Sequence, residues 1–182
     1  KVHVLLEKPM TESVSEARKL NIIAKKNRCI LQIGHLEQFN PAIRKLKCQL
    51  KAPEFIEVHR LCEFNPRATD VDVVLDLMIH DIDIVLSLID KNIKKISVSG
   101  KKVITNLIDI ANVRIEFEDN VVANLTASRI STKNERKMRI FLKNAYYSVD
   151  FMSNELKRLM KNKNNSFKTT SFQFKKSDSL NE

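Results

Sequence analysis

Val2-His3-Val4-Leu5-Leu6-Glu7-Lys8-Pro9 is the stretch that decides the fold of this 182-residue chain. Its first five residues form an apolar run, broken by one histidine, without alternation between apolar and polar positions. Such a run is typical of a parallel strand that is buried on both faces of its sheet. A helix is predicted from Thr11 to about Lys26, with Ser13 and Glu16 at capping-box spacing and Thr11 as the other cap candidate. A second buried strand is predicted from Cys29 to Ile33. Strand, helix and strand in this order predict a βαβ unit with a parallel sheet.

After residue 40 the apolar pattern changes to that of a separate α+β part. Pro41 suits the first position of a short helix, and Val71–Ile89 predicts a long buried helix. Lys157–Asn165 is rich in Lys and Asn and predicts a solvated loop. The predicted strands are Glu54–Glu63, Ile93–Ile104, Ala111–Phe117, Val121–Ile130, Lys137–Leu142, Tyr146–Phe151 and Phe167–Phe174. Short polar turns between them indicate hairpins, so we predict an α/β chain whose second part has a mostly antiparallel open sheet.

The composition excludes several classes of function. The net charge is +10, but 22 Lys stand against 10 Arg without aromatic interleaving, which disfavours a nucleic-acid binder. No apolar run reaches the ~18 residues of a membrane span. Cys29, Cys48 and Cys62 lack metal-ligand spacing, so we predict no metal site and interpret them as reduced core thiols of a cytoplasmic protein. Gly34 and Gly100 are the only glycines, so these residues contain neither a dinucleotide fingerprint nor a P-loop.

The first candidate site is Glu7-Lys8-Pro9, directly after the first strand. In open α/β sheets, ligands lie beyond the carboxyl ends of the parallel strands. Lys8 would therefore face a ligand. The alternative interpretation is that Lys8 is a solvated loop residue.

The second candidate site is a polar stripe on the predicted helix Val71–Ile89. At about 100° per residue, Asp76, His80, Asp83 and Ser87 fall within roughly 60° of one another, and nearly all other positions are apolar. The stripe either lines a cleft or is the wet face of the helix. Histidine suits a general base because its pKa lies near neutral pH, and a carboxylate one turn away can orient the ring.

Three segments together resemble the Gfo/Idh/MocA family of oxidoreductases. They are Val4-Leu5-Leu6-Glu7-Lys8-Pro9, then Ile33-Gly34-His35-Leu36-Glu37-Gln38-Phe39-Asn40-Pro41, then Asp76-Leu77-Met78-Ile79-His80-Asp81-Ile82-Asp83. Each is a weak motif alone, but their order and the secondary structure predicted between them make the resemblance fairly specific. Within the family, the second and third segments look closest to members that act on nucleotide sugars.

The resemblance implies both domains and residue roles. Residues 1–40 would be the last βα units of a Rossmann domain, and residues 41–182 a substrate and dimerisation domain. Lys8, Asp76 and His80 would be catalytic, with His80 as the general acid/base and Asp76 as its partner. Glu7, Lys8 and Pro9 would contact NAD or NADP, and the Lys8-Pro9 peptide bond would be cis. Gln38 and Asp83 would contact the substrate or orient the site.

The chain also departs from the family pattern. Gln38 stands where an Arg is common, which puts substrate or cofactor contacts there in doubt, and Val71-Asp72-Val73-Val74 replaces the usual glycines. The family's glycine-rich turn and acidic ribose-binding residue would lie before Lys1. Ser179-Leu180-Asn181-Glu182 resembles the start of a closing helix.

We therefore predict an oxidoreductase fragment that transfers a hydride between a nicotinamide cofactor and a hydroxyl of a sugar or nucleotide sugar. The chain alone is expected to be inactive because its phosphate-binding loop is absent. The alternative is a catalytically silent remnant or a sheet-mediated interaction module. We also expect a homo-oligomer formed through the C-terminal sheet, since the apolar content of Val121–Ile130 and Ile140–Phe151 exceeds what one helix layer could cover.

Overall fold

The structure is a computed structural model that describes residues 1–66 and 70–175. The chain divides into two compact units, Lys1–Leu36 and Glu37–Glu182. The closing helix expected at Ser179 lies outside the described residues. Among the residues that are described, every helix is too short or too polar to cross a membrane.

The first unit is a βαβ unit, as predicted. Strand β1 (Val4–Leu6) and strand β2 (Leu31–Ile33) pair in parallel and are connected by helix α1 (Val14–Lys26). The predicted cap at Ser13 is present, because the Ser13 hydroxyl accepts a hydrogen bond from the Glu16 backbone amide at 3.3 Å, and the same hydroxyl donates to the Glu16 carboxylate at 2.8 Å. This pair satisfies one of the amides that the first turn of a helix leaves unpaired.

The prediction that β1 is buried on both faces is wrong for this structure. Val4 is 46% and Leu5 is 65% exposed, and α1 contains no buried residue. The physical reason is that two strands and one helix have too little surface to enclose each other. An open apolar groove of about 360 Å³ remains between the two strands and α1.

The second unit contains one eight-stranded sheet. Helix α2 (Pro41–Gln49) precedes strand β3 (Phe55–Leu61), and a π-helical turn (Val74–Met78) leads into helix α3 (Ile79–Leu88). The remaining strands are β4 (Ile93–Lys101), β5 (Ile110–Phe117), β6 (Val122–Ser128), β7 (Glu135–Leu142), β8 (Ala145–Asp150), β9 (Glu155–Lys161) and β10 (Phe167–Gln173). Their order is β10-β9-β8-β7-β3-β6-β5-β4. Among the strand pairs that the structure describes in this sheet, only that of β3 with β6 is parallel, so the predicted fold class is confirmed.

One strand of this sheet was missed by the sequence analysis. Residues 157–165 were predicted to be a solvated loop, but Glu155–Lys161 is β9, paired on both sides with β8 and β10. Leu156 is fully buried, whereas Lys157 is exposed. Tertiary pairing therefore outweighs the local polarity, and the lysines lie where solvent can reach them.

The sheet buries one face under the helices and leaves the other polar. Along β3, Ile56 and Val58 are buried, while the alternate residues Glu57 and His59 are partly exposed. On the outer face, Arg139 of β7 donates to Glu57 at 3.0 Å.

This alternation removes the premise of the predicted oligomer. The apolar residues of Val121–Ile130 and Ile140–Phe151 mostly occupy the covered face, because a strand alternates faces with period two. Leu125, Ile140 and Val149 are all buried there. One layer of helices therefore covers most of the apolar surface of these segments.

The cysteines are free thiols but not core residues. Cys48 is exposed because it lies on the opposite side of α2 from the buried Ala42, Ile43 and Leu46, and Cys29 and Cys62 are half-buried. Burial, followed by the neighbouring Asp76 carboxylate, raises the pKa of the Cys62 thiol, which keeps it protonated at neutral pH.

Candidate active site

The helix that carries the polar stripe is shorter and less regular than predicted. Instead of a continuous α-helix over Val71–Ile89, helical structure runs from about Val74 to Leu88 and begins with the π-helical turn. The Asp72 carboxylate caps it by accepting the backbone amides of Val74 at 2.9 Å and Leu75 at 3.0 Å. Asp76 lies inside the π turn, so the angles expected for an α-helix hold only from Ile79 onward. Single π turns of this kind occur frequently at functional sites.

The predicted stripe residues differ in exposure. Asp76, His80 and Asp83 are half-buried, whereas Ser87 is exposed and donates its hydroxyl to the carbonyl of Ile84 at 2.7 Å. His80 is thus neither enclosed in the core nor fully solvated. A half-buried imidazole with a carboxylate four residues earlier can exchange a proton with a bound hydroxyl group.

The structure brings two of the predicted site residues into direct contact. The Gln38 side-chain amide donates to both the carboxylate and the backbone carbonyl of Asp83, the latter at 3.1 Å. Lys47 of α2 donates in turn to the Gln38 side-chain oxygen. Gln38 lies in a 3₁₀ turn (Leu36–Phe39), and Asn40 then caps α2 by accepting the amide of Ala42 at 2.9 Å. The turn and α3 are therefore linked at Asp83.

A buried ion pair beside this site was missed by the sequence analysis. Arg60 of β3 and Asp81 of α3 are 3% and 1% exposed, and two donor–acceptor distances of 2.8 Å join them. Glu37 lies 3.6 Å from the same guanidinium. Burial raises the pKa of the Asp81 carboxyl, and Arg60 opposes that rise. The alternation of side chains along a strand could have indicated this pair. Arg60 lies two and four positions after Val58 and Ile56, so it falls on the same buried face of β3.

The other predicted site residues lie in the first unit. Glu7 and Gly34 directly follow the parallel strands β1 and β2, at the edge where α/β sheets bind ligands. A Cβ at Gly34 would come within 3.1 Å of the Glu7 carboxylate, so the absence of a side chain there leaves room for Glu7. The Lys8-Pro9 bond is cis, as the resemblance implied.

These features are compatible with a dinucleotide cofactor at the strand ends, although only part of a complete binding site is present. Glu7 is exposed, and Lys8 and Pro9 are half-buried, so all three remain accessible at this edge. The residues that would cradle a pyrophosphate are absent from the sequence, since Gly34 and Gly100 are its only glycines.

Comparison with known families identifies the class of protein. The Gfo/Idh/MocA C-terminal domain matches residues 44–148, and the oxidoreductase family with an NAD-binding Rossmann fold matches residues 1–35. The chain therefore belongs to the Gfo/Idh/MocA family of oxidoreductases, and the resemblance drawn from the three motifs is confirmed.

Within the family, the chain is more similar to some members than to others. The chain is 40% identical over 156 residues to UDP-N-acetylglucosamine 3-dehydrogenase from Acidithiobacillus ferrooxidans, covering 85% of this chain and 50% of that enzyme. A crystal structure of the same enzyme superimposes with a TM-score of 0.88 at 36% identity, over 98% of this chain and 57% of that one. An inositol dehydrogenase homologue from Azotobacter vinelandii, complexed with NADH and myo-inositol, shares the fold at 18% identity with a TM-score of 0.82, over 92% of this chain and 49% of that one. The chain spans about half the length of the relatives it matches.

Proposed function

We propose that this chain provides the substrate-binding and acid/base part of an NAD(P)-dependent dehydrogenase that acts on a hydroxyl of a nucleotide sugar. The observation that carries the proposal is the half-buried set Asp76, His80 and Asp83 on one helix, tied to the Gln38 turn. UDP-N-acetylglucosamine is the candidate substrate, because the relative with 40% identity is named for it.

His80 is proposed to remove the hydroxyl proton when the alcohol is oxidised, and to return it in the reverse direction. Asp76 would favour the protonated imidazole by its negative charge. Lys8 would donate a hydrogen bond to the same hydroxyl oxygen, and Gln38 with Asp83 would orient the sugar. When bound, the nicotinamide ring would accept the hydride that leaves the carbinol carbon.

For the cofactor, we propose that residues 1–40 belong to the carboxyl end of the dinucleotide-binding domain and residues 41–182 to the substrate domain. Glu7, Lys8 and Pro9 would contact the nicotinamide half of NAD or NADP. The 182 residues by themselves should bind NAD weakly or not at all, because pyrophosphate binding relies on a glycine-rich turn at a helix N-terminus. A homo-oligomer through the sheet stays a prediction, with light scattering of the chain as its measurement.

A chimera tests the catalytic roles. Residues 1–182 replace the matching segment of the Acidithiobacillus ferrooxidans enzyme, which then supplies the half of its length that this chain does not span. NADH formation with UDP-N-acetylglucosamine is expected, and myo-inositol serves as the control substrate. His80→Ala should lower turnover by ~10²–10⁴ with little change in substrate binding. Asp76→Asn should have a smaller effect and lower the apparent pKa of the base.

A chimera that folds but turns over neither compound would contradict the proposal. That outcome would favour the alternative of a catalytically silent remnant or a sheet-mediated interaction module. Activity that survives His80→Ala at the full rate would reject His80 as the acid/base while leaving the dehydrogenase class in place.

A further inference from the structure

The buried ion pair between Arg60 of β3 and Asp81 of α3 is a two-point contact. Both guanidinium nitrogens that face Asp81 donate to it at 2.8 Å, one to each carboxylate oxygen. Arg60 also lies over the ring of Phe151, with 5.6 Å between the guanidinium carbon and the ring centroid. A two-point contact between a planar guanidinium and a carboxylate defines orientation as well as distance.

Stability alone gives little reason for such a pair. Bringing two charges out of water carries a large desolvation cost, and replacing such a pair with well-packed apolar residues of the same volume often leaves a protein at least as stable. A buried pair of this kind can instead specify one arrangement of the elements that it joins, because a shifted arrangement leaves a charge unpaired.

The elements joined by Arg60 are the ones that carry the candidate site. Asp81 directly follows His80 on α3, and Glu37 directly precedes Gln38 in the 3₁₀ turn. The third nitrogen of Arg60 lies 3.6 Å from Glu37, so one side chain contacts the helix and the turn together. Gln38 makes the second link between the turn and the helix through Asp83.

We propose that Arg60 is a positioning residue, which holds Asp81 and Glu37 together and thereby fixes the geometry between His80 on the helix and Gln38 on the turn. This inference rests on the proposed function of His80 and Gln38. Arg60 acts through Asp81 and Glu37 and, being buried, touches neither substrate nor cofactor.

The test compares Arg60→Lys with the control Arg114→Lys. Arg114 is 44% exposed on the outer sheet face and pairs with Glu116 at 3.0 Å. Arg60→Lys keeps the charge but loses the planar two-point contact, so kcat of the active chimera should fall by about 10- to 100-fold with a smaller change in KM. Arg114→Lys should leave both constants unchanged. Equal kcat in the two folded variants would overturn the proposal.

A second measurement is independent of turnover. In the 182-residue chain, NMR signals of the His80 ring and the Gln38 side-chain amide should shift in Arg60→Lys and stay unchanged in Arg114→Lys. Glu37→Gln, which leaves the buried pair intact, should shift the Gln38 amide more than the His80 ring. Unchanged Gln38 and His80 signals in Arg60→Lys would overturn the positioning role, even if the chimera were inactive. Shifted signals in an inactive chimera would keep the positioning role and reject only the dehydrogenase proposal.

Discussion

The two units of this chain differ in how their apolar side chains are covered. All 24 buried hydrophobic residues among the described ones lie between Ala42 and Leu156, in the second unit. In the first unit only Gly34 is buried, and large apolar side chains such as Leu5 and Ile22 remain mostly exposed. Large apolar side chains of the same types thus reach very different degrees of burial in the two units.

The type of sheet explains the difference. An antiparallel sheet with one polar face needs helices on the other face only, and α2 and α3 supply them in the second unit. A parallel pair has two apolar faces, and α1 is the one helix in the first unit. Sheets of two strands are at best marginally stable in water.

Hydrogen exchange should show the largest difference between the units. Backbone amides in β6, an interior strand paired with β3 and β5, should open only with the global unfolding free energy, about 5–15 kcal/mol. Amides of β1 and α1 should exchange through local opening at about 0–2 kcal/mol. Exchange of the 182-residue chain followed by NMR measures both. Equal protection of Leu5 and Leu125 would contradict this comparison.

A matched pair of core substitutions should give the next largest effect. Ile140→Ala removes a fully buried side chain of β7 and should lower the free energy of unfolding by about 2–5 kcal/mol, through lost burial and a cavity. Ile22→Ala makes the same chemical change in α1, where Ile22 is 65% exposed, and should change it by less than about 0.5 kcal/mol. Urea denaturation of the two variants measures the difference. Comparable losses would mean that α1 is buried in solution.

Asp109 allows a charge-dependent test within the second unit. It is buried directly before β5, and one of its carboxylate oxygens accepts hydrogen bonds from the amides of Val103, Ile104 and Thr105 at 2.8–2.9 Å. Burial alone would raise the pKa of this carboxyl, but the hydrogen bonds led by Thr105 hold it well below its usual range. Asp109→Asn should therefore lower the free energy of unfolding by about 1–3 kcal/mol at pH 7.

The pH dependence of that loss has a defined sign. Because the folded-state pKa is depressed, the stabilisation is fully present above the unfolded value of about 3.9 and disappears as the pH falls toward the folded value. Melting curves of the unsubstituted chain and of Asp109→Asn, recorded at pH 7 and pH 3, check this. The difference in stability between the two proteins should be smaller at pH 3. A constant difference would mean that the charge of Asp109 plays no part.

The smallest expected effect is at the cap of α1. Ser13→Ala removes the hydroxyl that accepts the Glu16 amide and should weaken the helix by about 1 kcal/mol. Because the first unit is expected to open on its own, amide exchange in α1 should accelerate while the global melting temperature stays the same. A lower global melting temperature would show that the two units unfold together.

Several local features of the fold could be predicted from the sequence. The Ser13 cap, Pro41 at the start of α2 and the parallel pairing of β1 with β2 all agree with the structure. They could be predicted because capping, fixed proline geometry and apolar period depend on neighbours within a few residues. The missed strand β9 depends on partners, since four of its seven residues are charged and it pairs only once β8 and β10 are beside it.

The sequence alone determined the family, the βαβ order and the placement of Asp76, His80 and Asp83 on one helix. Only the tertiary structure decided that this helix begins with a π turn, that Gln38 binds Asp83, and that Arg60 pairs with Asp81 across 21 positions of the chain. The physical reason is distance along the sequence. A motif records which side chains are available, whereas burial and hydrogen bonding between distant segments depend on how the sheet and its helices pack.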